Sequence, residues 1–385
     1  MLRRTPAGLA VRYRPRIHAS PARQSRSACW RAGASPSRNP DGPASMQPAR
    51  PSAAATLSAP MAKKTKSKRP TSARSTRPAA GAKRQADAAA SSGGVGSLGR
   101  SRPTPTPTGG FTASTADRHV LYQLAVQNVE SEIDFVDGEY KRLRGLRAER
   151  LREDFCGTAN TACEWVRRRP GNVAIGLDLD APTLEWGRIH NVGSLTPAQR
   201  KRVTLLERNV LTPGREGSGV DIVLAMNFSY WIFQQRAVML DYFRAVRSSL
   251  APEGVFFLDH YGGPESMEET RDRREIVPDE GPYRGKKWGF TYIWDQHAYN
   301  PISGEMECHI HFAFKDGTKM RRAFSYTWRL WSLQEIQDCL REAGFSRVTV
   351  YWEGTDEDGE GDGNFQPATW GETCPAYVTY ISAEK

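Results

Sequence analysis

Residues 149–178 constrain the fold more than any other stretch of the 385-residue chain. A short run that reads as a strand (149–155) leads through a small-residue turn at Gly157 into a helix near 158–169. Within that helix Ala159, Ala162, Cys163 and Val166 fall at i, i+3, i+4 and i+7, one buried stripe. A second apolar run, VAIGLD (173–178), follows and ends on Asp178. Strand, turn, helix, strand is the unit of a parallel sheet covered by helices. Gly157 has no Cβ, so a ligand can approach the backbone there, and the helix behind it offers free N–H groups and the positive end of a dipole. Asp178 lies 21 residues beyond Gly157, close to the ~20 at which nucleotide-binding units place an acid for a ribose.

The same rhythm continues. Strands are expected near 203–208, 220–226 and 255–260, and helices near 117–145, 181–193, 196–201 and 233–250. After residue 285 the period becomes two. Residues 288–297, 305–315 and 318–328 alternate, and the last two runs are joined by KDGT, an Asp-Gly hairpin signal. An antiparallel insert over about 286–328 is expected after the fifth strand. A helix capped by Ser332 and Glu335 and closed by Gly344 comes next, then a strand RVTVYWE, an acidic loop 353–363 and a last strand AYVTYIS. The acidic loop lacks the twelfth-position acid of a calcium loop (Thr369 stands there if Asp358 is first), so a solvated loop is expected.

Charge divides the chain. Residues 1–116 hold 21 Lys and Arg against Asp41 and Asp87, a charge of +19, whereas 117–385 carry −8. The tail is too polar to offset chain entropy by burial and is expected to be disordered, with a linker at 91–110. Its Arg-, Ala- and Ser-rich start reads either as an organellar transit peptide or as sequence upstream of a start at Met46 or Met61. The second reading, a cytoplasmic protein, is preferred. Six scattered cysteines give no paired spacing for zinc or a disulfide framework. No apolar run is long enough to cross a bilayer, so no membrane partner is expected.

The turn itself selects the ligand. A pyrophosphate cofactor asks for three spaced glycines, and here there is one. Glu153 at the strand end would repel phosphate and attract an ammonium. A ligand with an amino-acid ammonium, a ribose and no phosphate fits: S-adenosyl-L-methionine (SAM). EDFCGTA (153–159) resembles the E/D-x-G-C-G-T-G motif of class I SAM-dependent methyltransferases, with Phe155 and Ala159 in place of the outer glycines. IGLDLDAPTLEWGR resembles their second-strand motif, LAPEGVFFLD their entry to strand five, and YTWRLWSLQEIQDCLREAGFSRVTVY their late helix and strand. The resemblance spans most of 117–385 and implies a Rossmann-like, seven-stranded α/β sandwich with its last strand antiparallel. It implies that Glu153 and Gly157 face the methionine end of SAM, that Asp178 bonds the ribose and Leu179 packs on adenine. It also implies that Asn209-Val210 meet the adenine edge and that Asn227 flanks the transferable methyl.

Three residues are candidates for the chemistry. Asn227 and Tyr230 keep the spacing of an amine-recognising N/D-P-P-Y run but lack both prolines, so an ordinary cofactor-side Asn and a packing aromatic are expected. His260 follows strand five and is weighed evenly as a general base or a structural histidine. His309 and His311 alternate onto one strand face, with His297 beside them; no carboxylate or cysteine spacing joins them, and no metal is expected. The aromatic insert is read as a buried face, as a homodimer contact, or as a lid over the acceptor. The acidic body favours a small-molecule acceptor methylated on N or O. The alternatives are an RNA- or ribosome-directed methyltransferase, reaching nucleic acid through the tail only, and a non-catalytic SAM-binding module.

Overall fold

The computed structural model describes residues 109–356 and 361–385. The expected tail and linker through residue 108, and part of the acidic loop, lie outside the described residues. The described chain opens with helices α1 (Arg118–Ala125) and α2 (Val129–Arg144). These replace the single helix expected over 117–145. No Gly or Pro marks the break; Asn160 Nδ2 donates to Gln127 Oε1 at 3.2 Å, a tertiary contact that the helical period cannot reveal. Residues 109–116 also belong to the fold, not to the tail as expected. Phe111 is buried against Tyr283, Trp288 and Phe290.

Strands β1 (Arg150–Asp154), β2 (Val173–Asp178), β3 (Val203–Glu207), β4 (Val220–Ala225) and β5 (Leu250–Gly262) form a parallel sheet. Around them lie α3 (Asn160–Arg168), α4 (Ala181–Gly187, continuing as a π-turn to Val192), α5 (Pro197–Arg200) and α6 (Arg236–Ser249). Four antiparallel strands follow: β6 (Thr270–Ile276), β7 (Phe290–Tyr299), β8 (Glu305–Phe314) and β9 (Lys319–Arg329). Helix α7 (Leu333–Glu342) carries the expected capping box between Ser332 and Glu335, with Gly344 at φ +98 just beyond its end. Strands β10 (Arg347–Thr355), β11 (Gly361–Ala368) and β12 (Tyr377–Glu384) close the fold.

The large sheet has the order β11-β10-β12-β5-β4-β1-β2-β3, with β12 antiparallel to β5 and to β10. Two strands go beyond the expectation. β11 adds an eighth strand at the edge, where its Pro367 costs no ladder bond that a central strand would need. β6 adds a fourth to the insert; its sequence TRDRREI is charged, as suits an edge that must resist pairing with other chains.

The two faces of the sheet bury separate apolar layers. Trp165, Cys163 and Val166 of α3 pack with Leu151, Leu224 and Phe257 on one face. Phe243, Tyr242 and Leu340 pack with Val223, Phe256 and Ile381 on the other. A third cluster joins the insert to α1 through Phe290, Phe312 and Leu121. Much of the aromatic face of the insert is thus buried within the chain, with Trp294, Phe324 and Tyr326 partly exposed.

Candidate functional site

The strand order reverses between β1 and β4, and the crevice outside their carboxyl ends is where open α/β sheets hold ligands. Both connections that leave these strands are strained. After β1, Phe155, Gly157 and Ala159 all have positive φ, at 56°, 50° and 57°. Phe155 and Ala159 occupy the positions where the resembled motif has glycine. They adopt the left-handed conformation anyway, at a cost of order 1 kcal/mol or more each. Hydrogen bonds hold the turn: Cys156 N–H to Leu177 O at 3.0 Å and Ala159 N–H to Cys156 O at 2.7 Å. Helix α4 packs hard against it, so that a Cβ on Gly187 would lie 2.5 Å from Thr158 O.

Asp178, at the end of β2, is tied to this turn. Its Oδ2 accepts the Gly157 N–H at 2.7 Å and its Oδ1 accepts the Asp180 N–H at 2.9 Å. Burial raises its pKa, against these bonds. Leu179, next in sequence, is 64 % exposed, so its side chain is free to cover a flat apolar ring. Asn209 is exposed and its Oδ1 accepts the Leu211 N–H at 2.9 Å. Val210 follows it, but its side chain is buried in the core, so only its backbone can face a ligand.

Three carboxylates are buried in this region. Glu153 at the end of β1 accepts the Ala162 N–H of α3 at 2.9 Å, and burial pushes it up to about 8. Asp259 on β5 is pushed by burial to about 7. The third, Glu132 of α2, was not found from sequence; burial raises it to about 7, its Oε2 has no hydrogen-bond partner, and its charge raises both others. It is the fourth residue of the helix, between Glu130 and Asp134, where an acid reads as an ordinary first-turn residue.

Across the crevice, Asn227 and Phe228 follow β4 with φ of 58° and 55°. Asp259 holds both, accepting the N–H of Asn227 at 2.7 Å and of Phe228 at 2.9 Å. Two of the candidates for chemistry are placed elsewhere. Tyr230 is fully buried and its hydroxyl donates to Asp259 O at 2.8 Å, so it supports the turn from the core and does not reach an acceptor. His260 is 1 % exposed against Trp231 and Tyr377. Successive residues of a strand leave by opposite faces, so with Asp259 turned to the β4 loop, His260 goes to the other side. Burial lowers it to about 3, too weak a base to take a proton near neutral pH.

Two more elements close the crevice. Gln123 of α1 donates to Thr158 Oγ1 at 2.9 Å, and Asp117, before α1, accepts from Trp186 Nε1 at 2.7 Å. The insert reaches from α1, where Tyr122 meets Phe324 at 4.9 Å between ring centres, to the β4 loop, where Trp328 meets Phe228 and Trp231. Neither α1 nor the insert carries a motif; only the fold brings them here.

No family model matches the sequence, and no curated protein matches it. Many solved structures match in fold. A SAM-bound amino pentose methyltransferase of calicheamicin biosynthesis from Micromonospora echinaspora is 17 % identical, over 69 % of this chain and 96 % of that one, at a TM-score of 0.48. A SAM-dependent methyltransferase from Clostridium acetobutylicum is 16 % identical over 69 % and 96 %, at 0.47. A sugar N-methyltransferase from Streptoalloteichus is 16 % identical over 76 % and 99 %, at 0.46. The strand order of the chain itself, a parallel core flanked by antiparallel strands beside β5, makes it a mixed α/β sandwich consistent with the class I methyltransferase fold.

Proposed function

We propose that this protein is a SAM-dependent methyltransferase of the class I sandwich type, acting on an N or O atom of a small-molecule acceptor. One observation carries the reading: Glu153 and Asp259 lie buried near the carboxyl ends of β1 and β5, Glu132 of α2 is buried where its charge bears on both, and Glu132 Oε2 has no partner. Buried carboxylates need a compensating positive charge. A ligand that brings an ammonium and a sulfonium supplies it, while a dinucleotide would add phosphates to an acidic site.

The residues fit the rest of that ligand. Glu153 and Glu132 would hold the ammonium, Asp178 the ribose hydroxyls, and exposed Leu179 the adenine face. SAM supplies a methyl group on a sulfonium that is already a good leaving group. The task left to the chain is to align an acceptor and exclude water. Asn227, on its strained turn, borders the acceptor side, and the aromatic insert covers it. With His260 buried, no general base is assigned to the acceptor side, which suits an amine that attacks through its own lone pair.

The test is calorimetric titration with SAM, then mass spectrometry of small amines and alcohols incubated with methyl-labelled SAM. Binding and label transfer are expected. NAD binding in place of SAM would overturn the reading of the cofactor, and tight SAM binding with no labelled product across the acceptor panel would overturn the reading as an enzyme.

A further inference from the structure

We propose that His297, Glu307 and His309 form a site for one divalent transition-metal ion on the outer face of the insert sheet, independent of the cofactor crevice. One ligand atom from each lies within 4.8 Å of the others. Along β8, Cys308 and Ile310 enter the core, and Glu307 and His309 take the opposite face. His297 joins them through a β-bulge. Gln296 pairs with Cys308 and Ala298 with Glu307, so His297 is the extra residue. Bulges re-aim side chains in this way beside functional sites. This is the signal that spacing could not give: Glu307 supplies the carboxylate missing from the histidine pattern.

The geometry of His309 is the second observation. Its side chain is 2 % exposed. Its Nδ1 sits 2.9 Å from Ser325 Oγ on β9, the kind of outer partner that fixes a ligating imidazole and leaves Nε2 as the ligand atom. That Nε2 is buried and makes no hydrogen bond, although Glu307 Oε1 is only 3.1 Å away. A buried imidazole nitrogen and a carboxylate oxygen this close, with no hydrogen bond between them, suit a shared cation. Zinc ligands bound at ~2.1 Å lie roughly 3.4 Å apart, so side-chain rotation closes the site.

The adjacent pair does not compete. His311 Nδ1 accepts the Arg322 N–H at 2.9 Å and its Nε2–H donates to Asp295 at 3.0 Å, while Asp295 also pairs with Arg271. The charge of Arg322 reaches His309 and offsets the single carboxylate. Calcium and magnesium, which need several oxygens, gain little here; zinc, nickel or cobalt, which bind imidazole well, are favoured. His297 is exposed, so solvent can fill the fourth position.

The experiment uses untagged, full-length protein stripped with a chelator, titrated with Zn²⁺ by calorimetry and with Co²⁺ by visible absorption. One ion per chain is expected, unaffected by millimolar Mg²⁺ or Ca²⁺. His297→Ala and Glu307→Gln, both outside the core, should each weaken binding at least tenfold while leaving the metal-free melting temperature within a few degrees. Ser325→Ala should weaken it by ~10-fold. No stoichiometric binding, or binding unchanged in the His297→Ala, Glu307→Gln double variant, would overturn the proposal. SAM binding is not a readout, so the result stands apart from the proposed activity.

Discussion

The carboxylate of Asp259 accepts the backbone N–H of Asn227 at 2.7 Å and, with its second oxygen, that of the next residue, Phe228, at 2.9 Å. The end of β5 thereby holds two consecutive left-handed residues at the end of β4. Neither residue is glycine, so the carboxylate offsets part of the strain of this turn. Asp259→Ala should orphan both amides, at about 1–3 kcal/mol for each that stays buried, measured as a lowered urea midpoint at constant m-value. Methyl transfer should fall further than stability predicts, because Asn227 moves. A variant with normal stability and normal turnover would show that the turn does not depend on Asp259.

Asp178 is expected to serve the cofactor and the turn together, since it already bonds Gly157. Asp178→Ala should weaken SAM binding by about 1.5–3 kcal/mol, the worth of hydrogen bonds to a charged group. Asp178→Asn retains one acceptor for Gly157 and separates the two roles: it should keep most of the stability and still lose much of the affinity. Unchanged affinity in both variants by calorimetry would remove Asp178 from the cofactor site.

What the sequence made legible was local or periodic. The Gly157 turn, Asp178, the five parallel strands and the capping box of α7 each rest on residues adjacent in the chain or spaced at a fixed period. What it hid was brought together from far apart. Glu132 reads as a solvated first-turn acid until α2 is laid beside the ends of β1 and β5. Val210 and Tyr230 have the right spacing, but their side chains go to the core. His260 was ambiguous because a one-residue step along a strand exchanges the two faces of the sheet.

The buried acids predict a pH profile with a definite sign. Burial raises Glu132, Glu153 and Asp259 in the folded state to about 7, 8 and 7, well above the ordinary carboxylate range. The folded state therefore binds more protons than the unfolded state, and stability falls as pH rises through this window. His260 and His119, lowered to about 3 and 4, act in the opposite sense only below their ordinary value. Between pH 6.5 and 8 the ligand-free protein should lose stability with rising pH, and SAM, which favours the ionised acids, should bind more tightly. Melting curves with and without SAM check both trends. A flat ligand-free profile would mean that these acids do not share a dry site.

If His260 is structural, removing its basicity should cost little chemistry. His260→Phe fills a similar volume beside Trp231 and Tyr377 and removes two ring nitrogens that have no hydrogen-bond partner. Stability should rise or stay within about 1 kcal/mol, since a buried polar group without partners is lost. Turnover should remain within threefold with an unchanged pH optimum. A loss of 100-fold in kcat, with KM unchanged, would restore His260 as the base.

Gly187 tests whether the strained turn must keep its shape. Added Cβ atoms are tolerated when the neighbour is the flexible end of a side chain, but here the neighbour is backbone: Thr158 O at 2.5 Å and Thr158 C at 2.9 Å. Gly187 lies in helical geometry, at φ −59°, so alanine brings no conformational penalty of its own and should even favour the helix. The whole effect of Gly187→Ala must then come from pushing α4 away from the Gly157 turn. Asp178, bonded to that turn, would be displaced with it. The expected result is a protein that still folds, destabilised by about 1–3 kcal/mol as for other overpacked sites, and whose SAM affinity drops tenfold or more. Equal affinity in the variant and the parent would show that the turn can shift without disturbing the ligand, and that its left-handed residues are a consequence of packing alone.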